Sequence, residues 1–208
     1  MIERKLSGND LIVPGDYGIG DMGKLMIYHR VFYRGGGDVL PPVVAVRYDA
    51  SPGRKTFLDA ETEKFIEWAE SVKGDNPYAM KTAEAKIKEL GRKYAALAEK
   101  AGSSCWCLID GVHRSTAASL AGMPVGVLDL ETDEDICRVD EMVRRGMLFH
   151  FPRDERSIED LLYSFEEAVI ERDHESTGPM SVSEMAEMLS DSGELPPYMS
   201  RVRSFLPI

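Results

Sequence analysis

Apolar positions along this chain fall into a few short unbroken runs, separated by longer stretches in which they recur at helical spacing. Val43-Val44-Ala45-Val46 is apolar at consecutive positions and mostly β-branched. That is the pattern of a strand covered on both faces, and Pro41-Pro42 marks where it opens. Cys105 to Ile109 and Val125 to Leu130 read the same way, and Asp10 to Val13 is a shorter segment stopped by Pro14-Gly15-Asp16. Helical spacing governs Lys24 to Tyr33, where Leu25, Ile27, Tyr28, Val31 and Phe32 are apolar and Gly35-Gly36-Gly37 ends the run. Asp59 to Val72 and Tyr78 to Ala101 are two further helices, broken at Asp75-Asn76-Pro77 and therefore an antiparallel hairpin. In the second, Ala83, Ile87, Leu90, Tyr94, Leu97 and Ala98 form one stripe, and Gly102 closes it.

His113 to Ala121 is a short helix ended by Gly122 and Pro124. From Glu134 the chain turns helical and acidic, with helices over Glu134 to Arg145, Ser157 to Arg172 and Ser181 to Ser190, then a Pro-containing stretch from Leu195 to Ile208. Strands alternating with helices make the fold class α/β: a small sheet with packed helices, a helical-hairpin insertion at about 59–102 and a helical C-terminal extension. The expected division is a domain over 1–133 and an extension over 134–208.

Composition narrows the function classes. No window holds eighteen uninterrupted apolar residues, and Met1-Ile2-Glu3-Arg4-Lys5 is followed by no apolar run, so neither a membrane span nor a signal peptide is expected. A cytoplasmic location is the corresponding expectation. Lys and Arg number 25 against 36 Asp and Glu, a formal net charge of −11. Affinity for nucleic acid comes largely from cations neutralising phosphates, so this balance disfavours DNA as a partner. A local basic face on Arg138, Arg144, Arg145, Arg201 and Arg203 is what would restore it. Small anions are not disfavoured, because a helix N-terminus and one arginine can hold a phosphate whatever the global charge. The cysteines, Cys105, Cys107 and Cys137, are odd in number and read as reduced thiols.

The chemistry concentrates at Asp110-Gly111-Val112-His113-Arg114-Ser115-Thr116. A buried strand delivers the chain to a tight turn at Asp110-Gly111, and a helix starts at once with its free amides facing the turn. Arg114 contributes a cationic fork, Ser115 and Thr116 two hydroxyls, and His113 a donor or a general acid or base. The constellation suits a phosphate group. The same residues also allow a plainer reading, in which Asp110 and Ser115 cap a core helix and Arg114 pairs with a carboxylate.

From Leu108 to Val125 the sequence LIDGVHRSTAASLAGMPV resembles the hallmark of the ParB/sulfiredoxin superfamily: a strand, D-G-x-H-R, an Ala-rich helix, a Gly, and a strand opening on Pro-Val. Pro41-Pro42-Val43-Val44-Ala45-Val46 is similar to that family's "P-P-I-x-V" strand, and Leu11 to Asp16 resembles its opening strand and turn. The resemblance implies a ParB/sulfiredoxin-like sheet and a nucleotide site at Asp110, Gly111, His113, Arg114, Ser115 and Thr116, filled by ATP or ADP, with CTP as a further candidate. In sulfiredoxins the place of Val112 is held by the catalytic cysteine, which is absent here. The D-G-x-H-R form is closer to the free-serine kinase branch and to proteins labelled ParB-like nucleases. That branch implies Asp16 as the base on a substrate hydroxyl, although the family residue there is usually Glu. It also implies His113 beside the transferred phosphoryl group and Mg²⁺ held by Asp110.

The expected activity is phosphoryl transfer to a small hydroxylated acceptor, or nucleotide hydrolysis. The alternatives are a nucleotide-gated DNA- or protein-binding module of ParB type and a ParB-like nuclease. Gly18 to Lys24 meets G-x-G-x-x-G and most of a P-loop, but Leu25 stands where that loop needs a hydroxyl. Lys24 can still reach a phosphate from such a loop. Methionines crowd the last third of the chain, as core residues or as a surface for a partner or a homodimer through the C-terminal helices.

Overall fold

A computed structural model describes residues 1–14, 19–48, 54–102, 105–151, 155–171 and 178–200. Its six strands are β1 (Ile2–Leu6), β2 (Leu11–Val13), β3 (Val43–Arg47), β4 (Trp106–Asp110), β5 (Val125–Leu130) and β6 (Met180–Ser181). They make one mixed sheet in the order β1-β5-β3-β4-β2-β6. β3 runs parallel to β5, and β2 runs parallel to β4; the other three pairings are antiparallel. Two strands escape the hydrophobic pattern. β1 carries Glu3, Arg4 and Lys5 in succession along an edge, and β6 is two residues long, so neither shows an apolar run.

Strand periodicity divides the core into two layers. Leu11, Val13, Val43, Ala45, Leu108, Val125 and Val127 face one side of the sheet, where they pack with residues of α1 (Met22–Tyr33), α4 (Val112–Leu120) and α7 (Val182–Ser192). Ile12, Val44, Val46, Cys107, Leu128 and Leu130 face the other, against α3 (Ala79–Ala101), α5 (Asp133–Arg144) and α6 (Ile158–Glu171). The C-terminal residues are thus built into the sheet and into both layers. α7 packs on α4, and β6 pairs with β2. No helix among the described residues is long and apolar enough to cross a membrane.

α2 (Phe57–Val72) and α3 form the expected hairpin, closed by Ala69, Ala79 and Ala83 against Phe65 and Val72. Small residues there allow the two helices to approach closely. α2 starts on a capping box, with Thr56 and Asp59 each bonding the other's backbone. A buried carboxylate ties the hairpin to the sheet. Glu166 of α6 accepts from the Tyr48 and Tyr94 hydroxyls, from the Phe57 amide and from the Arg54 guanidinium, and its side chain is fully buried. One residue therefore holds the end of β3, the middle of α3 and the first turn of α2.

Removing that acceptor takes the carboxylate from Arg54 and leaves the Phe57 amide and the Tyr48 and Tyr94 hydroxyls short of an acceptor. Glu166→Ala is expected to lower stability by about 3–5 kcal/mol, read by chemical denaturation, which is the range for breaking a buried ion pair from one side.

Candidate functional site

β2 and β4 are parallel neighbours, and each is followed by a helix on the same face of the sheet. Their C-terminal ends therefore open at one edge, and the N-termini of α1 and α4 meet there. This is where open α/β sheets bind ligands, because the diverging connections leave a crevice. A cleft of about 360 Å³ occupies the position, lined by Val13, Ile109 and Asp110 from the strand ends, by Lys24 and Tyr28 of α1, and by Gly111 to Arg114. Phe149 and His150, from the segment between α5 and α6, close its other wall.

The turn follows the expected strand-to-helix course. β4 ends at Asp110, and pairing of Val44 with Asp110 but Ala45 with Leu108 leaves Ile109 unopposed, a bulge that re-aims the chain. Gly111 adopts φ +102°, and a Cβ there would lie 2.4 Å from Val43 Cγ1. Only glycine fits this position. α4 then begins at Val112 with no side-chain cap, so its first amides open toward the cleft.

Arg114 is 3 % exposed, and its contacts are largely internal. Nη1 donates to the carbonyls of Pro41 and Pro42 at 2.7 Å each, and Nη2 donates to Asp110 Oδ2 at 2.7 Å. Its guanidinium lies 5.3 Å from the centre of the Phe149 ring, which stacks on Tyr28. The side chain reaches the cleft wall while it fastens the start of β3 to the end of β4. Burial pushes the Asp110 carboxyl up, against the pull of Arg114, and the same burial draws the Arg114 guanidinium down.

His113 lies between the two helix starts. Its Nε2 accepts the Asp21 amide at 3.3 Å, joining α4 to the N-cap residue of α1. Burial holds the imidazole below its ordinary value, and the positive charge of Lys24 adds to this. Lys24, in the first turn of α1, is largely exposed and 3.5 Å from Asp21. Leu25 is fully buried, so the position where a P-loop needs a hydroxyl serves the core.

Ser115 and Thr116 lie elsewhere. The Ser115 hydroxyl donates back to the Gly111 and Val112 carbonyls at 3.2 and 3.1 Å, and the Thr116 hydroxyl faces Met185 of α7. Both are buried in the α4 interface, and neither lines the cleft. Asp16, the expected base, lies outside the described residues. Tyr28, Phe149 and His150 are cleft residues that the motif does not contain. In the run Leu148-Phe149-His150-Phe151, two buried apolar residues enclose an aromatic that is 58 % exposed.

No group of three or more His, Cys, Asp or Glu able to hold a metal occurs among the described residues. Among the described residues, Asp110 is the one carboxylate in the lining, and it is already bonded to Arg114. The described lining thus offers a Mg²⁺ ion one carboxylate, which is shared with Arg114. The arginines considered for a basic face are neutralised along α5, where Arg138 pairs with Asp135, Arg144 with Asp140 and Arg145 with Glu141. Arg201 and Arg203 lie outside the described residues. Cys107 is buried on the opposite face of the sheet, where burial pushes its thiol up.

Two outcomes follow from this geometry. Gly111→Ala is expected to cost about 2–4 kcal/mol in a denaturation experiment, combining left-handed backbone strain with overpacking on Val43. His113 should titrate below 6.5 by proton NMR, and Lys24→Ala should move its midpoint up toward that value. Because the folded value lies below the unfolded one, the contribution to stability is complete above pH 6.5 and is lost as the pH falls through it.

Compared with protein-family models, curated proteins and solved structures, the chain matches none of them. The likeness to the ParB/sulfiredoxin superfamily rests on the motif residues themselves.

Proposed function

We propose that this chain is a nucleotide-binding protein of ParB/sulfiredoxin-like kind, with the ligand's phosphates in the cleft at the ends of β2 and β4. On this reading it transfers a phosphoryl group from ATP or ADP to a small hydroxylated acceptor, or hydrolyses the nucleotide. One observation carries the binding: the cations Lys24 and Arg114 converge on one cleft with the N-terminus of α4, beside the rings of His113 and His150, in a chain whose net charge is −11. Cations collected at one point of an acidic protein favour an anionic ligand there. The stacked Tyr28 and Phe149 rings, with centroids 6.4 Å apart, offer an aromatic wall beside the charged one, which suits a phosphate joined to a planar base.

The roles follow from position. The amides of α4 and the exposed head of Lys24 meet phosphate oxygens, while Arg114 holds the turn rigid and cancels the charge of Asp110 behind it. His113, neutral above its lowered midpoint, is the group placed to move a proton. Val112 lines the cleft at the position of the sulfiredoxin cysteine and offers no nucleophile, which supports a phosphoryl-transfer reading over a thiol one.

Calorimetric titration with ATP, ADP and CTP, each with and without Mg²⁺, tests the proposal. Saturable binding of at least one nucleotide is expected, weakened about tenfold by Lys24→Ala, the loss of one charge-assisted contact. Absence of binding by all three overturns the reading. Binding without phosphate release or transfer keeps the site and removes the reaction.

A further inference from the structure

β1 is the outermost strand on one side of the sheet and pairs with β5 alone. Among the described residues, no backbone hydrogen bond outside that pairing involves Ile2 to Leu6, so its outer row of amides and carbonyls stays open. Such a row is a template for one more strand. Side chains alternate along it. Leu6 packs in the layer with α1, α4 and α7, which places Ile2 and Arg4 on that face and Glu3 and Lys5 on the other. Ile2 is 41 % exposed, and Glu3 and Lys5 are exposed as well. Lys5 pairs with the exposed Asp38, whereas Glu3 enters no ion pair among the described residues.

The order Ile-Glu-Arg-Lys-Leu is complementary to its own reverse. Two copies of β1 laid antiparallel about a two-fold axis at Arg4 set Ile2 against the partner's Leu6 and Glu3 against the partner's Lys5. The symmetry repeats each pair, so the seam holds apolar contacts at its ends and opposite charges inside them. A slide of two residues, the smallest that keeps the open backbone groups facing one another, sets Glu3 against Glu3 or Lys5 against Lys5. Arg4 meets its own copy at the axis, but the fold has drawn its charge away. Its Nε donates to Asp129 of β5 at 2.6 Å, and its guanidinium lies 5.7 Å from the centre of the Trp106 ring. Trp106 belongs to β4, three strands in from the edge, so the head of Arg4 lies over the sheet and not at the seam.

We propose that β1 is a pairing edge for a second copy of this chain, which joins the two sheets into one. Charges on an edge strand ordinarily keep foreign strands away. Here the two outward charges are opposite in sign and two positions apart, so an antiparallel copy is attracted and a uniformly charged strand is refused. The opposite edge of the sheet offers no comparable template, because β6 is two residues long. β1 also lies away from the cleft between β2 and β4, so the inference stands apart from the nucleotide reading. A seam of five residues is short, which places the pair among weak, concentration-dependent dimers.

Sedimentation equilibrium of the full chain should show monomer and dimer exchanging with concentration. Glu3→Lys and Lys5→Glu, both on exposed side chains, should each weaken the dimer about tenfold, because each makes two attractive pairs repulsive. Thermal melts of both variants should stay close to the parent's, which separates a lost seam from a lost fold. Mixed in equal amounts, the two variants should associate with close to the parent's affinity, since their opposing charges match again. One chain carrying both substitutions should recover the dimer for the same reason, and it keeps the test valid if either single variant folds poorly. Three results each overturn the proposal. They are a monomer at every concentration, a dimer that both single reversals leave unchanged (as one built through the C-terminal helices would be), or a weakened dimer that neither mixing nor the double substitution restores.

Discussion

The Arg114 guanidinium is the interaction on which the rest of this architecture depends. It binds the carbonyls of Pro41 and Pro42, where the chain enters β3, and the carboxylate of Asp110, where it leaves β4. β3 and β4 are antiparallel, so the entrance of one lies beside the exit of the other, and a single planar fork can span both. Pro41 and Pro42 lack amides, and their carbonyls precede the paired part of β3. The two lone pairs that Arg114 takes up are those the sheet leaves open there. A lysine at this position has the charge but not the fork geometry needed to meet three acceptors.

That arrangement has an electrostatic consequence for the cleft. Asp110 is the carboxylate that would repel an incoming anion, and Arg114 neutralises it at 2.7 Å. Lys24 and the open amides of α4 then set the potential of the crevice, with the rings of His113 and His150 beside them. The net charge of the whole chain is a poor guide to this point. Carboxylates on solvated helices are screened within about 8–10 Å, whereas cations around a partly enclosed cleft act on a ligand at contact distance.

How far the sequence foretold this differs from element to element. β3, β4 and β5 were legible because each is covered on both sides, and two-sided burial leaves an unbroken apolar run. The turn at Gly111 was legible because strand, glycine and Ala-rich helix follow within a few residues. β1 was not: it is an edge strand whose charged side chains face solvent, Asp38 or Asp129, and no local pattern distinguishes it from a polar terminus. The roles of Ser115 and Thr116 were read from chemistry alone, and helix rotation decided otherwise. Their hydroxyls lie on the face of α4 that packs into the core, where back-bonding to the helix carbonyls satisfies Ser115. Phe149 and His150 reach the cleft only through the packing of α5 and α6, which no spacing within the motif encodes.

α1 shows how one helix can serve two different neighbours. Lys24 and Tyr28 are four residues apart and therefore stand on one face, beside the strand ends. His29 and Tyr33 are again four apart, rotated one position onward, and with Arg30 they face α8 (Pro197–Ser200). Leu25 and Phe32, buried between these faces, anchor the helix to the sheet. A helix meant only to cover a sheet has no use for a buried histidine, since an unsatisfied polar group costs about 1–3 kcal/mol and a phenylalanine fits the same volume. His29 stands instead between the rings of Tyr33 and Tyr198, at 6.0 and 6.1 Å between centroids. Stability does not account for it, because both ring nitrogens are buried without a hydrogen-bond partner among the described residues.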